Sequence, residues 1–222
     1  MIQTAQTDIL TGLPSRKSFL EVFSKALAQA RSSNNEQPLA LGFLDIDNFL
    51  NINQTYGHQY GDAVLLAVVN LIRQVIEPQD VLSRYGGDEF ALLLVGKERE
   101  QAFLLLEQVR QAISRLDYQP SSGAIIHGVT TSAGIAAFPV DGRAEAELLR
   151  KADQALYRAK LAGRNQVRLA YEEKMAPKTA HFTQTQLERL SKLAEAHGAS
   201  EADMLREAVD DLLTKYGVND IE

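Results

Sequence analysis

The order of elements read along this 222-residue chain predicts an α/β or α+β sandwich, with helices between and around strands. Three observations carry that prediction. The run Leu39-Ala40-Leu41-Gly42-Phe43-Leu44 is nearly all apolar, the pattern of a central strand buried on both faces. A Gly86-Gly87 pair lies between the apolar runs Val81-Leu82 and Phe90 to Val95, which is the signature of a tight hairpin whose turn needs positive φ. The stretches between such runs repeat apolar residues at helical spacing.

Each element follows in order. Asp8 to Gly12 reads as a turn or cap, and Pro14 suits a helix start. A helix is expected over roughly Ser15 to Ser32, with Phe19, Val22, Phe23 and Leu27 on one face, then a polar loop, Ser33 to Pro38. The strand from Leu39 ends in Asp45-Ile46-Asp47, where alternation would point Asp45 and Asp47 the same way. Asn48 to Asp62 reads as a loop leading into a helix that ends near Ile76. After the hairpin come an amphipathic helix, Glu98 to Leu116, with Phe103, Leu106, Val109 and Ile113, and a loop, Asp117 to Ser122. Val129 to Ala136 is strand material, Ala144 to Leu161 is helical with Gly163 as its stop, and Gln166 to Leu169 is a short edge strand.

Bulk composition narrows the function classes. Apolar residues make up 45%, enough for one ordinary domain and a small appendage. A net charge of −6 argues against a nucleic-acid coat or an anionic-membrane binder. There is no cysteine, which excludes disulfides and thiolate metal sites. No apolar run approaches the ~20 residues of a membrane helix, and Met1 to Gln6 lacks the basic-then-apolar pattern of a signal peptide. The expected location is the cytoplasm.

The chemistry concentrates in two acidic strand ends. Asp88 and Glu89 lie at the edge of the hairpin, and Asp45 ends the central strand. Read alone, they are solvated surface acids. Converging, they need a cation, and Mg²⁺ shared with nucleotide phosphates is the usual answer. Gly86-Gly87-Asp88-Glu89-Phe90, together with Asp8-Ile9-Leu10-Thr11-Gly12-Leu13-Pro14-Ser15-Arg16, the stretch Asp45 to Asp62, and Ala152-Asp153 through Asn165, resembles the GGDEF family of diguanylate cyclases from about Asp8 to Arg168. The resemblance implies an α+β cyclase-like fold with a central, mostly antiparallel sheet flanked by helices. It implies condensation of two GTP into cyclic di-GMP and pyrophosphate across a homodimer. Asp45, the Ile46 carbonyl and Asp88 would hold Mg²⁺, with Mn²⁺ as the alternative ion, and Glu89 would help deprotonate the attacking hydroxyl.

Substrate contacts follow from the same resemblance. The amides of Asn48, Phe49 and Leu50 would lie near the triphosphate, as free amides at a strand-to-helix junction can. Asn53 and Asp62 would read guanine, and His58 would touch substrate; capping and turn chemistry are their structural alternatives. Lys160 and Arg164, four apart, would share one side of a helix and meet the triphosphate; otherwise they are a solvated helix end. The chain departs from the family pattern at Ser15, Leu50 and Gln54, where Asn, Lys and Asp are usual. Glu77 stands where many members carry the Arg of an Arg-x-x-Asp product-inhibition site, so that site is expected to be lost. The rival function is a non-catalytic module that binds GTP or cyclic di-GMP, coupled to a DNA-binding regulator.

Charge sets the end of the chain apart. Residues 171–222 hold 6 Lys/Arg against 11 Asp/Glu, which leaves residues 1–170 close to neutral. The expected division is therefore a cyclase domain, 1–170, and a second unit, 171–222. A strand-like run, Thr179 to Thr183, precedes two helices, about Thr185 to Ala196 and Ser200 to Tyr216, separated by His197-Gly198-Ala199. This resembles a ribbon-helix-helix unit with Leu187, Leu190, Leu193, Met204, Leu205, Ala208 and Leu212 as core positions. The expected partner is a second copy, giving a homodimer. DNA contact through Thr179, His181 and Thr183 is the alternative, and the acidity of the segment disfavours it.

Overall fold

A computed structural model of the chain describes residues 7–32, 36–119, 125–170, 180–197 and 200–216. The chain divides into two compact units, Met1–Glu172 and Glu173–Glu222. The first holds a five-stranded sheet in the order β2-β3-β1-β4-β5. Its strands are β1 (Leu39–Ile46), β2 (Val81–Arg84), β3 (Glu89–Val95), β4 (Thr131–Phe138) and β5 (Val167–Leu169). Pairs β2–β3, β3–β1 and β1–β4 are antiparallel, and the edge pair β4–β5 is parallel.

Five helices flank the sheet: α1 (Arg16–Ser32), α2 (Phe49–Tyr56), α3 (His58–Val75), α4 (Arg99–Arg115) and α5 (Glu145–Leu161). The apolar run of β1 is buried at every position because the strand feeds two cores. Ala40, Leu44 and Ile46 face one core with Val68, Leu106 and Val109 of α3 and α4. Leu39, Leu41 and Phe43 face the other with Phe19 and Phe23 of α1 and Leu156 of α5.

Two expectations about these helices need correction. Val22 faces outward rather than joining Phe19, Phe23 and Leu27. Asn48 to Asp62 is not a loop: α2 occupies Phe49–Tyr56, and Gly57, at φ 93°, turns the chain directly into α3. Gly57 permits that backbone without a Cβ penalty, so two helices fit where polar composition suggested none.

The hairpin forms as expected, but not for the expected reason. Among the described residues the glycines with positive φ are Gly12, Gly57, Gly96, Gly128 and Gly163, and neither Gly86 nor Gly87 is among them. A Cβ on Gly86 would lie 2.8 Å from Glu89 Oε2, the movable end of that side chain. Gly163 does end α5: at φ 102° it lets the Arg164 amide reach back to the Ala159 carbonyl at 3.0 Å, the long bond of a Schellman cap. The amphipathic α4 starts on a reciprocal capping box between Glu98 and Gln101.

The second unit contains α6 (Gln184–His197) and α7 (Glu201–Lys215). Ala180 to Thr183 are not in a strand; a ribbon strand would need a second chain to pair with. Thr179 and the Gly198-Ala199 turn lie outside the described residues. Of the positions expected to form a core, Leu190, Met204 and Leu205 are half-buried, while Leu187, Leu193 and Leu212 are exposed. Among the described residues no helix is long and apolar enough to cross a membrane.

Two neighbouring positions on β4 are expected to respond to substitution with opposite signs. A Cβ on Gly134 would fall 2.1 Å from the Leu156 amide nitrogen and 2.3 Å from the Ala152 carbonyl oxygen, backbone atoms of α5 that cannot swing aside. Gly134→Ala should therefore destabilise the fold by about 3 kcal/mol or more. Thr131 is fully buried, and its hydroxyl has no hydrogen-bond partner among the described residues. Thr131→Val should raise the unfolding free energy by about 1 kcal/mol. Denaturant titration of the two variants checks both.

Candidate active site

Pairing of β1 with β3 brings the acidic strand ends together. Asp45 lies directly opposite Glu89, and the Ile46 amide donates to the Asp88 carbonyl at 3.2 Å. Asp45 is only 7% exposed. Burial raises its pKa to about 6; the Lys160 ammonium works against that rise, and the charges of Asp88 and Glu89 add to it. Lys160, in the last turn of α5, places Nζ 2.8 Å from Asp45 Oδ2.

The donor set suits a divalent cation. A buried carboxylate is repelled by two acidic neighbours and already draws in the nearest ammonium. Among the described residues no group of three His, Cys, Asp or Glu side chains gathers to hold an ion. If Asp45, Asp88 and the Ile46 carbonyl held Mg²⁺, substrate oxygens and water would complete its shell.

The hairpin turn is braced from the N-terminal segment. Arg84 Nη1 lies 3.0 Å from Asp8 Oδ2, while Nε and Nη2 donate to the Gly87 carbonyl at 3.0 and 2.6 Å. Asp8 also accepts from the Thr11 amide and hydroxyl, closing the turn that begins the domain. Partial burial of Asp8 tends to raise its pKa, but the Thr11 and Arg84 hydrogen bonds and the Arg84 charge outweigh this and hold it below the ordinary value. Ser83 Oγ and the Arg84 amide both donate to the Pro14 carbonyl, and the Arg16 guanidinium lies 4.7 Å above the Tyr85 ring.

On the other side of β1, Asn48 adopts a left-handed conformation (φ 56°, ψ 30°) and starts α2. The Asn51 and Ile52 amides bond back to the Asn48 carbonyl, so those of Asn48, Phe49 and Leu50 precede the helix's own ladder. Asn53 is half-buried where α2 meets α3: a Cβ on Gly61 would collide with Asn53 Oδ1 at 2.0 Å. Asp62, the next residue, is exposed, as is His58 at the start of α3. The candidate guanine readers thus flank one close helix contact.

A match to the family described as "Diguanylate cyclase, GGDEF domain" spans residues 5–166. The chain belongs to the GGDEF domain family. It is 39% identical over 168 residues to diguanylate cyclase DgcP of Pseudomonas aeruginosa, covering 76% of this chain and 24% of that protein. It is 38% identical over 163 residues to the probable diguanylate cyclase DgcT of Escherichia coli, covering 73% and 35%. The chain therefore spans well under half the length of these curated relatives. Among solved structures, the GGDEF domain of PA1120 from Pseudomonas aeruginosa superposes with a TM-score of 0.70 at 35% identity, covering 75% of this chain and 95% of that one. The GGDEF domain of DgcB from Caulobacter crescentus, solved in complex with c-di-GMP, gives 0.70 at 33% identity, covering 78% and 97%.

Within this GGDEF domain, one expected placement is corrected, that of Arg164 relative to Lys160. Asp47 points to the same side as Asp45, where Ser132 lies opposite Asp45, and has partners of its own. Its carboxylate accepts from the Thr130 hydroxyl at 2.8 Å, the Ser132 hydroxyl at 2.7 Å and the Asn165 amide at 3.0 Å. Lys160 and Arg164 do not share a helical face, because α5 ends at Leu161 and Arg164 lies beyond Gly163 at φ 63°. Leu50 is 69% exposed on α2, and Gln54 is exposed as well. Arg84 and Asp8 were missed as supports of the site, and only the charge of Arg84 beside the Gly-Gly pair hinted at a role.

The Asp8–Arg84 pair predicts a pH dependence. A folded-state pKa below the unfolded value contributes stability that is present above the unfolded pKa, about 4, and is lost as pH falls through the folded pKa. Arg84→Ala should thus be destabilising at neutral pH. The gap from the wild type should narrow as pH falls below about 4, as denaturation across the range would show.

Proposed function

We propose that the chain is a diguanylate cyclase that joins two GTP molecules into cyclic di-GMP with release of two pyrophosphates. The observation that carries this reading is the pairing of Asp45 with Glu89, which sets Asp88 beside Ile46. Asp45, the Ile46 carbonyl and Asp88 would hold Mg²⁺, or Mn²⁺ in its place, which when bound offsets charge on the attacking and leaving oxygens. Glu89 takes the proton of the 3′-hydroxyl as its oxygen bonds to the α-phosphorus of the other GTP and the bond to pyrophosphate breaks. A second, equivalent step closes the ring. Asn53 and Asp62 hydrogen-bond to the guanine edge, and adenine lacks the matching donors. The amides of Asn48, Phe49 and Leu50 hold phosphate oxygens with Lys160 and Arg164, and His58 borders the same nucleotide.

We infer that the product-inhibition site is lost, because Glu77 and Asp80 both pair with a cation of the chain's own, Lys97. Lys97 Nζ lies 3.0 Å from Glu77 Oε1 and 3.1 Å from Asp80 Oδ2. Asp80 also accepts from the Glu77 and Val95 amides, both at 2.9 Å. The cation that would grip a product phosphate at position 77 is an anion, and Asp80 accepts bonds from within the chain. Incubation with GTP and Mg²⁺ followed by nucleotide separation should yield cyclic di-GMP, and Asp88→Ala should yield none. Added cyclic di-GMP should leave the rate unchanged; potent noncompetitive inhibition would refute loss of the site. A protein that binds GTP without turning it over would be the non-catalytic alternative.

Each domain carries one GTP, so the product forms between two copies. Residues ~178–216 are proposed to hold them together, raising the effective concentration of one loaded site near another. Exposed Leu187, Leu193, Leu212 and Leu213 leave apolar faces on α6 and α7 that a second copy could cover. Truncation at Pro177 should lower specific activity and make it steeply dependent on dilution. Undiminished activity with an unchanged dilution profile would sink this assignment.

A further inference from the structure

Asp47 is 4% exposed and has no part in the chemistry assigned above. Its carboxylate ties three segments together: the Thr130 and Ser132 hydroxyls at the start of β4, and the Asn165 amide beyond α5. The segment it captures is unusual. Gly163, Arg164 and Asn165 all have positive φ, at 102°, 63° and 48°. L-residues other than glycine enter that region at a cost, least for Asn. Two consecutive non-glycine residues there need an external restraint. Asp47 supplies it at the Asn165 amide, and Arg110 of α4 braces the same residue by donating to Asn165 Oδ1 at 2.7 Å.

We propose that Asp47 is a positioning residue for nucleotide binding: it holds the turn after α5 in its left-handed form and so fixes Arg164 beside the strand end that carries Asp45. This rests on the reading of the site as a GTP site. Asp47 is two residues beyond Asp45 on the same strand end, so one stretch of backbone references both the acidic cluster and the basic turn. The charge of Asp47 cannot itself favour a triphosphate. Coulomb repulsion runs the other way, and any benefit must pass through the turn.

That opposition of sign makes a test. Asp47→Asn preserves shape but cannot accept from all three donors. Calorimetric titration with 3′-deoxyguanosine triphosphate and Mg²⁺, which cannot cyclise, should show binding about tenfold weaker than in the wild type. Arg164→Ala should cost clearly less in the Asp47→Asn protein than alone, because both act on one contact. Unchanged or tighter binding, or fully additive losses, would overturn the proposal. Should Asp47→Asn fail to fold, Asn165→Ala and Asn165→Gly carry the test without altering any charge. Both lose the Arg110 contact, but Ala resists positive φ and should bind about fivefold more weakly than Gly; equal affinities would overturn the proposal. A wild type that does not take the analogue would overturn the GTP reading instead. The restraint is read separately by amide exchange of Asn165, expected to speed up in Asp47→Asn and overturning the proposal if unchanged.

Discussion

The domain is built around negative charge buried at the end of its central strand. Asp45 is nearly excluded from water, faces Glu89 across the β1–β3 ladder and feels the charge of Asp88 just beyond it. Desolvation and like charge both disfavour its ionised form, so the fold brings an ammonium to it from α5. The position of that ammonium depends on the packing of α5, which lies so close to β4 at Gly134 that no side chain fits between them. Strand register, helix packing and site electrostatics are therefore one constraint. A shift of β3 by one residue would turn Glu89 to the other face and remove the reason for Lys160 to be there.

A second constraint holds the hairpin turn in place. Asp88 lies outside the regular ladder, and backbone at a turn is ordinarily free to move. Arg84 removes part of that freedom by binding the Gly87 carbonyl on one side and Asp8 on the other. The turn at Asp8 to Gly12 thus serves as an abutment for the carboxylate-bearing loop. Arg16 over Tyr85 adds a second point of contact between the same two segments.

Much of this was legible in the residues. The apolar run of β1 read as a central strand buried on both faces, and the acidic residues closing β1 and opening β3 marked where the two would meet. The misreadings have physical causes. The polar residues of Asn48 to Asp62 suggested a loop, although Phe49, Ile52 and Tyr56 stand at helical spacing; the two helices there meet at Gly61 and turn at Gly57. Gly86 read as a φ requirement, whereas the turn forms without positive φ there. Alternation placed Asp47 on the side of Asp45, where Ser132 bonds to it, but its partners on β4 and beyond α5 lie at separations no local pattern encodes. Lys160 and Arg164 read as one helical face only because the stop at Gly163 was not carried through to the geometry beyond it.

The two units answer different physical demands. The first buries extensive apolar surface on both faces of its sheet and completes its own core. The second, with two helices, leaves leucines at its expected core positions exposed. A pair of helices of that length buries little surface by itself, and the proposed function gives its exposed leucines a second copy to meet. A reaction whose two substrates sit on separate copies has the complementary need. It gains from any element that keeps the copies together, and it gains without new contacts at the site itself. On the proposed function, the incompleteness of the second unit and the half-site character of the first are two sides of one requirement, which a second copy of the chain would meet.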